Sequence, residues 1–212
     1  MINMHSKKQL EIVLSKLKSI ENPNPSLEQY TIPGELASEI LHQAYMTGDI
    51  EGKIVYDFGC GSGRLAIGAL LLGAKEVVAV DIDEKVLDVA EQNMDFIITN
   101  EIAVKGSIKF IKSDLKKFKG KCDTVIQNPP FGIQMKNADR LFLEKALECG
   151  DKIYSLHKDG YEKTVQFITK FVEDRGGNVE KIIPYKFHIP HIFKFHEKPK
   201  KEIEVDLYVI NK

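Results

Sequence analysis

Ile54-Val55-Tyr56-Asp57-Phe58-Gly59-Cys60-Gly61-Ser62-Gly63-Arg64-Leu65 joins one apolar run to another through three glycines set at alternate positions. Residues Lys53–Phe58 are near-continuously apolar, which marks a strand covered on both faces rather than one with a wetted side. The glycines predict a tight turn, because a residue without Cβ lets the backbone bend sharply and approach a ligand closely. Arg64–Leu72 then reads as a helix. Strand, glycine turn and helix in that order begin a βαβ unit, and the same alternation continues in both directions.

Upstream, Lys7–Ile20 places Leu10, Val13, Leu14 and Leu17 at helical spacing. Asn22-Pro23-Asn24-Pro25-Ser26 stops any helix, since proline lacks a donor and restricts its predecessor. A second helix is predicted from Pro33-Gly34 to near Gly48. Downstream, strands are predicted at Glu76–Val80, Ser107–Ile111, Asp123–Gln127, Lys152–Leu156 and Val179–Pro184, with helices at Glu84–Ile98, Asn137–Cys149 and Tyr161–Glu173. Ile203–Ile210 alternates apolar residues with Glu204 and Asp206, the pattern expected of a half-exposed edge strand. The fold class is α/β: a mostly parallel sheet with helices on both faces and ligands beyond the carboxyl ends of its strands.

Composition narrows the function without naming it. A chain of 212 residues suits one domain, and 43% hydrophobic residues can fill a core. A net charge of -1 excludes a polycation, so any nucleic-acid affinity must come from local basic patches. The longest apolar run, Leu65 to Leu72, is far short of the ~20 residues that span a bilayer. Met1 to Lys8 has no signal-peptide core, so no membrane association and a cytoplasmic location are expected. Cys60, Cys122 and Cys149 form no C-x-x-C pair, which argues against a disulfide framework or a zinc site.

The glycine turn has an acidic setting. Asp57 stands just before it, and Asp81-Ile82-Asp83 ends the second strand about twenty residues later, where a carboxylate can accept from ribose hydroxyls. Dinucleotide sites favour G-x-G-x-x-G, with a helix N-terminus facing pyrophosphate. Here the pattern is G-x-G-x-G, and Asp57 would repel a pyrophosphate while suiting an ammonium and a sulfonium. The loop therefore reads as a site for S-adenosylmethionine, formed by Gly59, Gly61 and Ser62, with Asp57 near the methionine end and Asp81 and Ile82 at the ribose. Asp114, after Phe110-Ile111-Lys112-Ser113, either accepts from the cofactor's adenine amine or caps a helix ahead of Leu115-Lys116-Lys117.

Asn128-Pro129-Pro130-Phe131-Gly132 is the most specific signal. Two prolines after a strand make a rigid corner, and a mere terminator would need neither the asparagine nor the aromatic. An exocyclic adenine amine is a poor nucleophile because its lone pair is delocalised into the ring. The Asn128 side-chain carbonyl and the Pro129 backbone carbonyl can each accept one of its hydrogens, localising the lone pair and stabilising the charge that develops. Pro130 fixes the corner, and Phe131 can stack on the base, a contact of ~1–3 kcal/mol. No general base is singled out, and the target must be unpaired or flipped out.

With Leu27-Glu28-Gln29-Tyr30, Asp123-Thr124-Val125-Ile126, Tyr154-Ser155-Leu156-His157-Lys158 and Tyr185-Lys186-Phe187-His188, these motifs make the chain resemble the methyltransferase-like adenine-N6 methyltransferases of small-subunit ribosomal RNA. The resemblance runs from about Leu10 to Ile210. It implies a class I S-adenosylmethionine-dependent fold, a Rossmann-like seven-stranded sheet with the last strand antiparallel. It implies cofactor contacts from Gln29, Thr31, Gly59, Ser62, Arg64, Asp81, Asp114, Leu115 and Asn128. A single domain over 1–212 is expected, residues 1–50 forming a helical extension that closes over the cofactor and 51–212 the core. Eukaryotic relatives pair with a small zinc-ribbon activator protein.

Lys181–Lys201 gathers six lysines among Tyr185, Phe187, Phe193 and Phe195, a nucleic-acid pattern if exposed and a solvated loop with buried aromatics otherwise. RNA contacts are expected from Lys186, His188, Lys194, Lys198, Lys200 and Lys201. His188, His191 and His196 match no standard metal spacing, so no metal is expected. The competing readings are a protein N5-glutamine methyltransferase, whose substrate amide also offers two hydrogens, a DNA adenine-N6 methyltransferase, and a non-catalytic cofactor-binding module.

Overall fold

The computed structural model describes residues 6–131, 138–158, 161–190 and 200–212. Two N-terminal helices, α1 (Lys7–Lys16) and α2 (Gly34–Met46), precede β1 (Ile54–Phe58), α3 (Arg64–Leu71), β2 (Glu76–Asp81), α4 (Glu84–Thr99), β3 (Ser107–Lys112) and β4 (Cys122–Gln127). The chain continues through α5 (Ala138–Cys149), β5 (Gly150–Lys158), α6 (Tyr161–Glu173), β6 (Asn178–Pro190) and β7 (Lys200–Asn211). These form one sheet in the order β3-β2-β1-β4-β5-β7-β6. The pairs β1–β2, β2–β3, β1–β4 and β4–β5 are parallel, and β7 runs antiparallel to β5 and β6. The order reverses between β1 and β4, so a crevice opens at the carboxyl ends of those two strands.

Burial explains the layers. Every residue of α3 is buried, and α1, α2, α3 and α4 supply one apolar cluster with one face of the sheet. α5 and α6 supply a second cluster on the other face. The α1 stripe predicted from spacing, Leu10, Val13, Leu14 and Leu17, lies in the first cluster, although the helix itself stops at Lys16. α1 lies so close to α2 that a Cβ on Gly34 would fall 2.4 Å from Ser15 Oγ. Cys60, Cys122 and Cys149 are free thiols. Among the described residues no helix is long and apolar enough to cross a membrane.

One expectation is overturned. Ile203–Ile210 is no edge strand: β7 sits between β5 and β6, and Val205 to Ile210 are buried. Its alternating acids answer partners on neighbouring strands. Asp206 stands opposite His157 of β5, and Glu204 pairs with Lys186 of β6. The sheet's edges are β3 and β6. β6 also runs on past the predicted end at Pro184, paired with β7 through Pro190.

Candidate active site

Beyond the carboxyl ends of β1, β2 and β4 lies a cavity of about 410 Å³, within the roughly 300–1,000 Å³ of small-molecule sites. Its floor is the glycine turn. Gly59 and Cys60 N–H donate to Val80 O at 2.8 and 3.1 Å, which folds the turn back over β2. Gly63 starts α3 at φ 76, and a Cβ there would come 2.9 Å from the Cβ of Ala90 on α4. Only glycine meets both demands.

Two carboxyls face this floor. Asp57 is 1% exposed; its Oδ2 accepts from Ala66 N at 3.0 Å, and its Oδ1 is buried without a hydrogen-bond partner. Burial pushes its pKa up to about 8 against the pull of the Ala66 N–H, and the Asp81 charge adds to the rise. Asp81 Oδ2 accepts from Gly61 N at 2.9 Å and Oδ1 from Asp83 N at 3.0 Å. Burial raises Asp81 too, while the N–H groups of Asp83, Gly61 and Ile82 oppose the shift. Each carboxylate oxygen has two acceptor sites, so the Asp81 oxygens keep capacity for hydroxyl donors. At the rim Ile82 is exposed. Asp114 lies past the end of β3; its Oδ1 accepts from Lys116 N at 2.9 Å, capping a turn at Leu115–Lys117 rather than an α-helix.

A strap, residues 17–33, forms the opposite wall. Arg64 holds it at both ends, Nη1 donating to Ile32 O at 2.6 Å and Nη2 to Leu17 O at 2.8 Å. Burial lowers the Arg64 pKa to about 10. Although Arg64 borders the cavity, these two nitrogens serve the strap. Asn93 of α4 adds a clamp, exchanging bonds with both backbone groups of Lys18 and donating to Ser62 O at 2.9 Å. Thr31 Oγ1 accepts from Ile20 N at 3.0 Å, and Gln29 Nε2 donates to Asp83 Oδ2 at 2.9 Å.

The diproline corner closes the third side. β4 is tied to β5 by Gln127 Nε2 donating to Ser155 Oγ at 2.8 Å, and Ser155 Oγ in turn lies 2.8 Å from His157 Nε2. The His157 ring meets Tyr208 edge-on at 5.3 Å, and burial lowers its pKa to about 4. Anchored in this way, Asn128 and Pro130 border the cavity with Gly59 and Asp81. Pro129 and Phe131 do not border it. Instead the Phe131 ring packs on Tyr30 at 5.8 Å.

All the residues assigned to the cofactor — Gln29, Thr31, Asp57, Gly59, Gly61, Ser62, Arg64, Asp81, Ile82, Asp114, Leu115 and Asn128 — border this one cavity. Of the residues expected to contact RNA, Lys186 alone has a described side chain, and it does not border the cavity. Lys186 is ion-paired with Glu204, and Phe187, in the middle of the basic segment, is buried in the apolar cluster. Lys194 and Lys198 lie outside the described residues, as do His191, His196 and Gly132 and the side chains of His188, Lys200 and Lys201. Two neighbours escaped the sequence reading. Phe142 of α5 lines the cavity against Gly59. Tyr30 donates its hydroxyl to Asn128 Oδ1 at 2.6 Å across 98 positions of chain, a distance that no local spacing signals.

Comparison with known proteins agrees over the whole chain. Residues 37–129 match the family model of ribosomal protein L11 methyltransferase (PrmA). A Methanocaldococcus jannaschii protein is 43% identical over 99% of this chain and 95% of its own length. The rRNA N(6)-adenosine-methyltransferase METTL5 of Danio rerio is 37% identical over 94% of this chain and 95% of its own. A crystal structure of a candidate RNA methyltransferase from Pyrococcus horikoshii superposes with a TM-score of 0.88 at 45% identity, covering 100% of this chain and 99% of that one.

Proposed function

The chain belongs to the rRNA N(6)-adenosine-methyltransferases, and from that premise we propose that it methylates the N6 amine of an adenosine in small-subunit ribosomal RNA, using S-adenosylmethionine. The observation that carries the proposal is that Asn128, at the diproline corner, borders the same cavity as Asp57, Gly59 and Asp81.

The residues fit the cofactor. Asp57 borders the cavity with one carboxyl oxygen unpartnered and would receive an ammonium group there, and the remaining acceptor capacity of Asp81 suits ribose hydroxyls. When bound, S-adenosylmethionine supplies a methyl group already activated on a sulfonium. The protein's part is alignment and electrostatics. The Asn128 side-chain oxygen, at the cavity's edge, accepts one amine hydrogen and the Pro129 carbonyl, outside the cavity lining on the next residue of the corner, is assigned the other, so that the nitrogen is drawn toward tetrahedral geometry. Pro129 has no N–H to compete for these acceptors. His157, buried and held neutral, ties β5 beside the corner.

The family-model match to a protein methyltransferase ends at Pro129 and so covers the cofactor half, whereas the rRNA methyltransferase relatives align nearly end to end. RNA is therefore the favoured substrate over a protein glutamine or DNA. The test is labelled methyl transfer to ribosomal RNA followed by digestion to nucleosides. Label in N6-methyladenosine supports the reading; label in protein or DNA reverses it. Asn128→Ala should lower transfer by at least about a hundredfold, the scale of losing one positioned transition-state contact, with cofactor affinity largely kept. The zinc-ribbon activator is likewise a proposal. Full transfer by the chain purified alone would remove it.

A further inference from the structure

Tyr30 stands where the strap meets the diproline corner. Its hydroxyl donates to Asn128 Oδ1 at 2.6 Å. Its ring packs on Phe131 at 5.8 Å and on Phe187 at 6.1 Å, the latter pair nearly parallel at 25°. Phe187 is buried, so the aromatic stack is anchored in β6 and the phenol cannot swing aside without parting both rings. On the strap, its neighbours Gln29 and Thr31 are themselves tied to Asp83 and Ile20.

We propose that Tyr30 is a positioning residue for methyl transfer, holding the Asn128 amide with its oxygen, not its nitrogen, at the place where the target amine is received. The inference rests on the reading of Asn128 as acceptor of that amine. An asparagine amide presents an oxygen and an NH2 of nearly equal size, and only the oxygen can take a hydrogen from the incoming nucleophile. Desolvation keeps the Tyr30 phenol protonated, so it always has a hydrogen to place. Were the amide reversed, its NH2 would donate to the phenol oxygen, the phenol O–H would lose the acceptor it has now in a half-buried setting, and an N–H instead of an oxygen would confront the amine. The amide oxygen has two lone pairs; Tyr30 takes one and leaves the other for substrate. The strap that walls the cofactor cavity thereby also orients the acceptor of the second substrate.

The test is Tyr30→Phe, which keeps the ring stack and deletes only the hydroxyl. Single-turnover methyl transfer at saturating cofactor and RNA should slow about three- to tenfold, the worth of one neutral hydrogen bond. The Kd for S-adenosylmethionine and the KM for RNA should be unchanged. A loss of cofactor affinity matching the loss of rate would mark Tyr30 as part of the strap's structure alone and overturn the proposal. An unchanged rate would overturn it too. A faster rate would show the hydroxyl to be a competitor for the amine's acceptor, which also overturns it. Asn128→Ala measured alongside separates the two readings. If that variant keeps its rate, the assignment of Asn128 fails and takes this proposal with it; if it loses its rate while Tyr30→Phe keeps its own, only the role of Tyr30 fails.

Discussion

Asp57 is a carboxyl for which burial and neighbourhood disagree with neutral pH. With a pKa raised to about 8 it is mostly protonated at pH 7 in the unliganded protein. It nevertheless borders a cavity that we read as receiving an ammonium, and one of its oxygens lacks a hydrogen-bond partner. Ion pairing needs the carboxylate, so binding must expel a proton below that pKa. Affinity for S-adenosylmethionine should therefore weaken by about tenfold per pH unit below about 8. Calorimetric titrations between pH 6 and 8, run in buffers of different ionisation enthalpy, would read both the slope and the released proton. Asp57→Asn should abolish the slope. So should 5'-methylthioadenosine as ligand, since it lacks the ammonium. A slope that survived in the Asn variant would assign the proton to another group, with Asp81, also raised by burial, the first alternative.

Among the elements, the strap depends on few bonds and covers much of the cavity, so it is where local opening should be measurable. Arg64→Met keeps the length of the buried stem and removes the donors to Leu17 O and Ile32 O. The expected cost is about 2–3 kcal/mol of stability, given that bonds from charged donors are worth roughly 1.5–3 kcal/mol each and that burying the guanidinium carries its own penalty. Amide exchange should accelerate in residues 17–33 while α3 stays protected; equal loss of protection across β1 and α3 would mean that Arg64 supports the core rather than the strap. What could be read from sequence divides along the same line. The turn at Gly59–Gly63, the acids Asp57 and Asp81 and the corner at Asn128 announce themselves because each follows a strand directly and its chemistry is local. Tyr30, Asn93 and Phe142 carry no such mark, since their importance comes from contacts closed only by the tertiary fold. The alternation in β7 was legible, but its meaning was not. Period-two patterning tells which residues share a face, whereas the strand's place inside the sheet follows from Asp206 facing His157 and Glu204 facing Lys186. Within the basic segment, Phe187 packs on Tyr30, a tertiary contact that its spacing among lysines does not signal.

For the molecule as a whole, two buried groups titrate against each other. Asp57 is raised from 3.8 to about 8, so between those values the folded protein holds a proton that the unfolded chain has lost, and stability falls as pH rises. His157 is lowered from 6.5 to about 4, so between those values the unfolded chain holds the extra proton, and stability rises with pH. From about pH 4 to about 6.5 the two slopes, each about 1.4 kcal/mol per unit, nearly cancel. Above 6.5 the opposing slope of His157 is gone, and the Asp57 contribution should cost about 2 kcal/mol by pH 8, with Asp81 acting in the same direction. Subtracting curves isolates each group's contribution together with its coupling to neighbours, which for Asp57 means Asp81. Relative to the parent, Asp57→Asn should gain stability steadily as pH rises from 4 to 8. His157→Asn should lose roughly 3 kcal/mol relative to the parent between pH 4 and 6.5 and then run parallel to it. Urea unfolding at half-unit pH steps would measure both differences. Saturating the parent with S-adenosylmethionine supplies a cation that keeps Asp57 ionised, so the liganded protein should lose the decline above pH 6.5 and follow the shape of the Asp57→Asn curve. If it instead keeps the unliganded shape, the charge on Asp57 is not what the ligand meets, and the orientation of the cofactor in the cavity must be reversed.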